Sequence, residues 1–304
     1  MKSVSATNIE ITTVLVLSSK VERFEDIDPI ASDTPNQLIL QGITEAGLSE
    51  RISVPVQFLD QDDVKRIADP LKRPPALQRG EVAGIIICSY FARQLMDILG
   101  SEIPFVVIPK TDKALNIDSA GPEHLHGTEQ LVRHLHALGH RRIGFVGTEE
   151  RATWMHDRFA GYLYGMNSLG LDFDLKAVLN MTGDKLSDRE LLRNLVLATR
   201  KKVATAWVCA SDGLAAGVYH VLRDAGIKVP ADVSITGFDG ISHLRDCPAL
   251  TTLVVPWRDI GEGALFAMID RIRKPHSAVS HREYMGKLCN GATTAPLSRF
   301  GSGR

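Results

Sequence analysis

Short apolar runs alternate with amphipathic stretches along most of the chain. Apolar runs such as 82–88 and 233–238 have the length of strands that are buried on both faces of a sheet. The stretches between the runs have the length of helices, and several of them end at a glycine. Strands that alternate with helices in this way form βαβ units and a parallel sheet. The series divides near residue 120, so the pattern predicts an α/β fold with two doubly wound parallel-sheet subdomains.

The same pattern predicts where the individual elements lie. We expect strands at residues 14–17, 52–59, 82–88, 104–108, 143–146, 178–181, 204–210, 233–238 and 252–255. We expect helices at residues 35–46, 62–71, 91–99, 123–138, 153–169, 188–198 and 214–225. The stretch at 115–121 has no strong apolar run and is expected to be a linker.

Charge and cysteine content favour a cytoplasmic protein that is not dominated by nucleic-acid or membrane binding. The chain has 35 basic and 36 acidic residues, so no net charge points to either partner. Cys88 and Cys209 lie inside apolar runs and are expected to be reduced, buried thiols. No apolar run approaches the ~20 residues of a membrane span, and no signal-peptide core is found.

Polar residues follow two of the predicted strands of the second subdomain. Ser211 and Asp212 come after the run 204–210, and Asp239 comes after the run 233–238. Ligands of open parallel sheets bind beyond the carboxyl ends of the strands, so these positions predict a small-molecule cleft. Asp212 is also well placed to cap the helix that follows.

Five short motifs occur in an order that resembles one protein family. They are Leu-Gly-His-Arg-Arg-Ile-Gly-Phe-Val-Gly at 138–147, Arg-Phe-Ala-Gly-Tyr at 158–162, Val-Pro-Ala-Asp-Val-Ser-Ile-Thr-Gly-Phe-Asp at 229–239, Leu-Thr-Thr-Leu at 250–253 and Gly-Ala-Thr-Thr-Ala-Pro at 291–296. Together they resemble the LacI/GalR family of ligand-responsive transcription regulators over residues 13–296. That resemblance implies an effector domain like a periplasmic sugar-binding protein, with a ligand cleft between two subdomains.

The resemblance also implies how the chain is divided. Three crossings between the subdomains would assign residues 13–120 and 257–276, with a helix at 259–272, to the N-terminal subdomain. Residues 121–256 and 277–297 would form the C-terminal subdomain, with the strand near 284–288 rejoining it. Residues 1–12 would be a hinge remnant or tag, and 298–304 a tail.

A pocket can be carried over from the family position by position. Arg158 matches an arginine that holds ligand hydroxyls or carboxylates, and Asp239 matches an aspartate that grips the ligand. Ser211 takes the place of a ligand-binding asparagine, and Asp212 is the favoured helix cap of the two. For Arg158 the alternative is a solvated ion pair, and for Asp239 it is a helix N-cap.

Aromatic and polar residues extend this pocket. Trp257 falls where members place an aromatic side chain against the ligand, and Trp154 is expected near the pocket mouth. Either tryptophan could instead belong to the core. Ser89 and Tyr90 would add hydrogen bonds from across the cleft, and Lys20 or Phe24, after the first strand, are weaker candidates.

Departures from the family pattern change the expected ligand and partners. Pro109, Val255 and Gly240 each replace a polar family residue, which predicts a more apolar cleft than that of a typical hexose sensor. Family members also carry a DNA-reading helix-turn-helix headpiece, whereas Lys2 is the one basic residue before Val14. We therefore expect a headpiece-less fragment that binds a carbohydrate-like effector, forms a homodimer and contacts operator DNA only through the missing headpiece.

Two other functions remain as alternatives. A free-standing solute-binding protein for transport or chemotaxis would share the fold. A sugar-processing enzyme would need a carboxylate pair, for which Asp212 and Asp239 are the candidates. The pairs His124/His126 and His136/His140 have poor spacing or a broken helix for one metal ion, so no metal or cofactor is expected.

Overall fold

Strands and helices alternate along most of the described chain. A computed structural model describes residues 11–19, 34–88, 91–100, 103–108, 116–148, 153–172, 174–181 and 189–297. The strands are β1 (Val14–Ser19), β2 (Val56–Leu59), β3 (Gly84–Cys88), β4 (Phe105–Ile108), β5 (Asp118–Pro122), β6 (Ile143–Thr148), β7 (Val178–Met181), β8 (Ala206–Cys209), β9 (Ser234–Asp239), β10 (Thr251–Val254), β11 (His281–Tyr284) and β12 (Lys287–Cys289). The helices are α1 (Pro35–Glu50), α2 (Gln61–Arg66), α3 (Pro75–Gln78), α4 (Ala92–Leu99), α5 (His124–Ala137), α6 (Thr153–Ser168), α7 (Arg189–Arg200), α8 (Asp212–Asp224) and α9 (Trp257–Arg273).

The chain forms two compact units, each assembled from separate segments. The first holds β1 together with Pro35–Pro122 and Pro256–Tyr284, and the second holds Glu123–Val255 and the chain from Met285 onward. The first two crossings lie close to the expected 120/121 and 256/257. The third differs, because β11 pairs in parallel with β5 and so belongs to the first unit. The assignment of all of 277–297 to the second unit is therefore wrong for residues up to Tyr284.

The first unit is built on one parallel sheet. Its strand order is β11-β5-β4-β3-β1-β2, which is the doubly wound arrangement expected from the sequence. The apolar runs of β1, β3 and β4 are buried, because helices cover the sheet. Cys88 ends β3 as a buried thiol and forms no disulfide.

The expected linker at 115–121 is instead largely a strand. Residues of β5 pair with β4 on one side and with β11 on the other. Asp118, at its start, is buried and accepts from Arg271 of α9 and from the backbone N–H of Ser280. A buried carboxylate with these partners holds a strand whose own residues have little apolar character.

The second unit repeats the architecture. Its strand order is β12-β10-β9-β8-β6-β7, with β12 antiparallel to β10 and the other pairs parallel. Trp207 of β8 is fully buried, and its indole N–H donates to Thr199 of α7 at 3.0 Å. Tyr162 of α6 donates its hydroxyl to the carbonyl of Ile143 at 2.9 Å, which fixes α6 against β6.

A few element boundaries differ from the prediction. The helix predicted at 35–46 continues to Glu50, with Gly47 inside it and close to Val54. The helix predicted at 62–71 is α2 followed by a 3₁₀ turn at Pro70–Lys72. The single strand predicted at 284–288 is the two short strands β11 and β12 in different sheets. Within the described residues, no helix combines the length and apolar composition needed to cross a membrane.

Candidate functional site

Arg158 is at the centre of a buried polar network in the second unit. It lies on α6, one turn before Tyr162, and only 4% of its side chain is exposed. Its Nη2 donates to the carboxylate of Asp239 at 3.0 Å, and its Nη1 donates to the carbonyl of Ala210, just beyond β8. Its Nε donates to Nδ1 of His124, the first residue of α5, at 3.2 Å. The arginine thus connects α6 with the ends of two strands and with the start of α5.

Aromatic rings lie beside the guanidinium group. The Cζ atom of Arg158 is 3.7 Å from the ring centroid of Phe238 and 4.6 Å from that of Trp154. Both distances are within the range of cation–π attraction. Phe238 is fully buried, whereas Trp154, on the first turn of α6, is partly exposed. Trp154 is therefore the ring that a ligand can reach.

Asp239 ends β9 in an unusual backbone conformation. Its φ is +135° and that of Gly240 is +87°, so the chain turns sharply at the carboxyl end of the strand. The carboxylate accepts from Arg158 and from the backbone N–H of Asp212. Burial raises the pKa of Asp239, while the positive charge of Arg158 opposes that rise. The aspartate is an ion-pair partner of Arg158 and does not cap a helix.

Asp212 is fully buried and holds the loop after β9. Its carboxylate accepts from the backbone N–H groups of Gly240 and Ile241, each at 2.7 Å, and from the hydroxyl of Thr252 at 2.6 Å. Burial and the nearby Asp239 carboxylate raise the pKa of Asp212 to about 7, although these three hydrogen bonds act in the opposite direction. The two aspartates hold each other's strand ends. The Asp239 carboxylate accepts from the N–H of Asp212, and the Asp212 carboxylate accepts from the N–H of Gly240, the residue after Asp239.

The residue that caps α8 is not the expected one. Ser211 is the N-cap of α8, and its hydroxyl accepts from the N–H of Leu214 at 3.2 Å. Asp212 is the first residue inside the helix, so the expectation that it caps α8 is wrong. The physical reason is that the tight turn at Gly240 and Ile241 leaves two buried N–H groups, which need a carboxylate more than the helix end does.

His124 and Phe238 are parts of the network that the sequence did not identify. From the sequence, His124 was considered only as a poor metal ligand, and Phe238 only as one residue of the motif at 229–239. Their rings are 5.9 Å apart. Burial, followed by the charge of Arg158, lowers the pKa of His124 well below its ordinary value. The available signal was the position of His124 at the start of the predicted helix 123–138, which faces the strand ends.

The remaining predicted residues lie elsewhere or outside the described chain. Trp257 is the first residue of α9 in the first unit and is buried. Ser89 and Tyr90, and likewise Lys20, Phe24 and Pro109, lie outside the residues that the structure describes. The structure therefore brings together Arg158, Asp239 and Trp154, with Ser211 and Asp212 supporting the strand ends.

A sequence profile identifies the family. The profile of the periplasmic binding protein-like domain matches residues 132–294, which is more than half of the chain. The chain belongs to the periplasmic binding protein-like domain family.

The relatives and solved structures that this periplasmic binding protein-like domain resembles include transcriptional regulators. The HTH-type transcriptional repressor PurR of Haemophilus influenzae is 30% identical over 200 residues, covering 64% of this chain and 59% of the repressor. The chain thus spans less than two thirds of that relative's length. A LacI family transcriptional regulator from Enterococcus faecium, solved with bound ribose, has a TM-score of 0.67 at 22% identity, covering 94% of this chain and 100% of the other.

A third comparison supports the same assignment of fold. The lac repressor dimer, solved with operator and an anti-inducer, has a TM-score of 0.71 at 18% identity, covering 95% of this chain and 96% of the other. The resemblance to LacI/GalR effector-binding domains that the motifs indicated is therefore confirmed.

Two motifs of the periplasmic binding protein-like domain have structural roles at the opposite edge of the second sheet. His140 of the Leu-Gly-His motif is buried, and its ring nitrogens contact the hydroxyls of Thr205 at 3.0 Å and Ser234 at 3.1 Å. Thr293 of the closing motif donates to the carbonyl of Ile235 and accepts from the N–H of Thr251. Among the described residues, no group of three or more His, Cys, Asp or Glu side chains could hold a metal ion.

A cavity of about 230 Å³ lies at this same edge, away from Arg158. Its basic lining residues follow the C-terminal ends of α5 and α7, where positive side chains offset the partial negative charge of the helix ends. The helix ends therefore account for the basic residues of this cavity, and we do not propose it as the ligand site. Its lining comprises His140, Arg142, Lys202, Thr205, Pro230, Ala231, Asp232, Val233, Ala295, Pro296 and Leu297.

Proposed function

We propose that this chain is the effector-sensing domain of a LacI-type transcriptional regulator. We further propose that its effector is an uncharged, carbohydrate-like molecule that binds at the carboxyl edge of the second sheet. The observation that carries this proposal is the buried Arg158–Asp239 pair beside the partly exposed Trp154. Guanidinium N–H groups and carboxylate oxygens suit the acceptors and donors of neighbouring hydroxyls, and an indole face suits the C–H face of a sugar ring.

The charge balance of this edge supports an uncharged effector. The positive charge of Arg158 is already matched by Asp239 at 3.0 Å, and the buried carboxyl of Asp212 lies close by. An anionic ligand would have to approach two carboxyl groups and compete with Asp239 for the same guanidinium. A neutral polyol or nucleoside adds hydrogen bonds to the pair without adding buried charge.

The proposed ligand contacts are Arg158, Asp239 and Trp154. Ser211 and Asp212 support the site from behind, since their side chains cap α8 and hold the β9 loop. Trp257, Ser89 and Tyr90 remain predicted contacts from the family resemblance. The replacement of polar family residues by Val255 and Gly240 favours a ligand with an apolar side.

The whole protein is proposed to be a repressor. Its curated relative is a transcriptional repressor, and a structure of similar fold is a repressor dimer bound to operator. By this proposal the chain forms a homodimer in the cytoplasm, and operator contact is made by a headpiece. The effector acts through a difference in its affinity for two conformations of the domain. The relatives give no support to a free-standing solute-binding protein.

Binding without catalysis is the favoured chemistry. A carboxylate pair for sugar hydrolysis needs one group that exchanges a proton with the substrate. Asp212 directs its carboxylate to Gly240, Ile241 and Thr252, and Asp239 is paired with Arg158. Incubating D-ribose glycosides or cellobiose with the chain should therefore yield no product.

Thermal unfolding with a panel of probes tests the proposal. D-ribose, D-galactose, cellobiose, adenosine and cytidine are added in turn, and a probe at 100 times its Kd should add about 2.7 kcal/mol of stability. The shift should be lost in Arg158→Lys and Asp239→Asn. Arg271→Lys is a matched control, because it alters a buried arginine–aspartate pair in the first unit. Loss of the shift in all three variants, or no shift with any probe, would contradict the proposal.

The oligomeric state is tested separately. The chain has a mass of 33.3 kDa. Sedimentation velocity should give about twice that mass at micromolar concentration, and a single species at 33.3 kDa would contradict the dimer.

A further inference from the structure

The geometry fixes the tautomer of His124. Its Nδ1 lies 3.2 Å from Nε of Arg158, and a guanidinium N–H can only donate. Nδ1 is therefore the acceptor, and the single proton of the neutral ring is on Nε2. Burial and the charge of Arg158 also keep the ring neutral by lowering its pKa. His124 thus presents one defined donor.

That donor is buried and has no partner among the described residues. His124 is 6% exposed, and its Nε2 makes no hydrogen bond to this part of the chain. Both ring nitrogens of His140 have hydrogen-bonding neighbours, so the state of His124 is not general for buried histidines here. Buried polar groups nearly always have a partner, and an unpaired one destabilises the fold. The described residues thus supply no acceptor for this donor.

The surroundings of the ring favour a ligand as the source of that acceptor. His124 contacts Arg158, which is bonded to Asp239, and its ring lies 5.9 Å from that of Phe238. The unpaired donor is thus next to the pair that carries the proposed function. A structural histidine would have its donor directed at a backbone carbonyl or a hydroxyl, as His140 does.

We propose that His124 is a ligand-contacting residue, whose Nε2–H donates to a hydroxyl, carbonyl or ring-nitrogen acceptor of the effector. This inference rests on the proposed function and deepens it. It requires an acceptor on the ligand beside the Arg158 guanidinium. An analogue that lacks the acceptor leaves the donor unpaired, so His124 selects between otherwise similar ligands.

Two substitutions test the Nε2–H donor of His124 separately from the acceptor that its Nδ1 offers to Arg158. His124→Asn keeps an acceptor oxygen within reach of Nε of Arg158 and removes the donor at the Nε2 position. His124→Gln places an amide N–H near the Nε2 position. With the tightest-binding probe of the panel, His124→Asn should weaken binding about five-fold or more, and His124→Gln should restore part of it.

Deoxy analogues of that probe provide the readout that a purely structural role would not give. One monodeoxy analogue should bind the parent chain and His124→Asn with equal affinity, because the acceptor is already missing from the ligand. The ¹⁵N-histidine NMR spectrum should show the Nε2–H tautomer in the free chain. The same Nε2–H signal should become protected from exchange when the probe is added.

The experiments distinguish a failure of this inference from a failure of the proposed function. If Arg158→Lys and Asp239→Asn abolish probe binding while His124→Asn binds every analogue like the parent, the inference is wrong and the proposed function stands. An Nδ1–H tautomer would remove the proposed donor, and an Nε2–H signal that does not change on binding would mean that the probe does not contact it; either result would overturn the inference. If no probe binds the parent, both fail.

Discussion

Gly161 of α6 lies directly against the backbone carbonyl of Leu125 in α5. A Cβ atom on Gly161 would be 2.1 Å from that oxygen, far inside van der Waals contact. The two helices can approach this closely only because residue 161 has no side chain. Arg158 is one turn before Gly161, and His124 is next to Leu125, so the same close approach brings the guanidinium to the imidazole.

Gly161→Ala should therefore separate α6 from α5. We expect a loss of about 1–3 kcal/mol in the free energy of unfolding, because the obstacle is backbone and cannot rotate away. Asn167→Ala is the matched control on the same helix, since residue 167 is exposed, and it should change stability by no more than about 0.5 kcal/mol. Urea unfolding measures both. Equal effects of the two substitutions would show that the helix contact is not close.

Breaking the Arg158–Asp239 pair should be strongly destabilising. Asp239→Asn keeps the shape of the side chain but leaves the guanidinium, whose side chain is 4% exposed, without its counter-charge. We expect a loss of about 3–5 kcal/mol in unfolding experiments. Asp62→Asn removes a carboxylate from an exposed pair with Lys65 and should cost less than about 1 kcal/mol. If both cost the same, the pair is not buried.

Asp212→Asn should release the loop after β9. The N–H groups of Gly240 and Ile241 both donate to Oδ2 of Asp212, and the neutral oxygen of an amide in that place is a weaker acceptor than a carboxylate. The amide N–H₂ group would take the place of Oδ1, which now accepts from the hydroxyl of Thr252. We expect a loss of about 1–3 kcal/mol and faster hydrogen exchange at the amides of Gly240 and Ile241.

Ser211→Ala is the comparison for this prediction. It removes the cap of α8 and should cost about 1 kcal/mol. Exchange at Gly240 should not change, since Ser211 does not contact that amide. Faster exchange at Gly240 in Ser211→Ala but not in Asp212→Asn would reverse the two assignments.

His124 should make the chain less stable in acid. Its pKa in the folded state lies well below 6.5, so below about pH 6.5 the unfolded chain binds a proton that the folded chain does not. Stability attributable to His124 is therefore fully present at pH 7.5. About 1.4 kcal/mol of it should be lost by pH 5.5.

His124→Asn tests the sign of this effect. The difference in unfolding free energy between the parent and His124→Asn should shift by about that amount, against the parent, between pH 7.5 and 5.5. Comparing the two chains cancels the contributions of His134 and His140, whose pKa values are also lowered by burial. A pH-independent difference would mean that His124 is protonated in the folded chain.

The sequence predicted the elements whose residues carry a strong local signal. The runs 82–88 and 233–238 are short and strongly apolar. The bounds of β3 and β9 differ from the bounds of these runs by at most two residues. β5 was missed because Asp118-Ser-Ala-Gly-Pro has no such signal. Its position is decided by Arg271, 153 residues away in the chain, which no local pattern can reveal.

Only part of the candidate site could be predicted, because the rest depends on contacts between distant parts of the chain. Arg158 and Asp239 could be identified because motifs mark them, and strand ends place them at one edge. That Ser211 rather than Asp212 caps α8 could not be predicted, since both residue types cap helices well. What decides it is the pair of N–H groups left by the turn at Gly240, a tertiary feature. The role of His124 depends on the close approach at Gly161 and was equally hidden.

The crossing of the chain at Tyr284 affects the order in which the two units can fold during synthesis. The first unit needs α9 and β11, which are synthesised only after the entire Glu123–Val255 segment of the second unit. During translation the second unit can collapse on largely contiguous residues, while α1 still lacks the helix that packs on it and Ile39 is uncovered. The N-terminal part of the first unit is consequently the part exposed to aggregation on the ribosome until Pro256–Tyr284 has emerged.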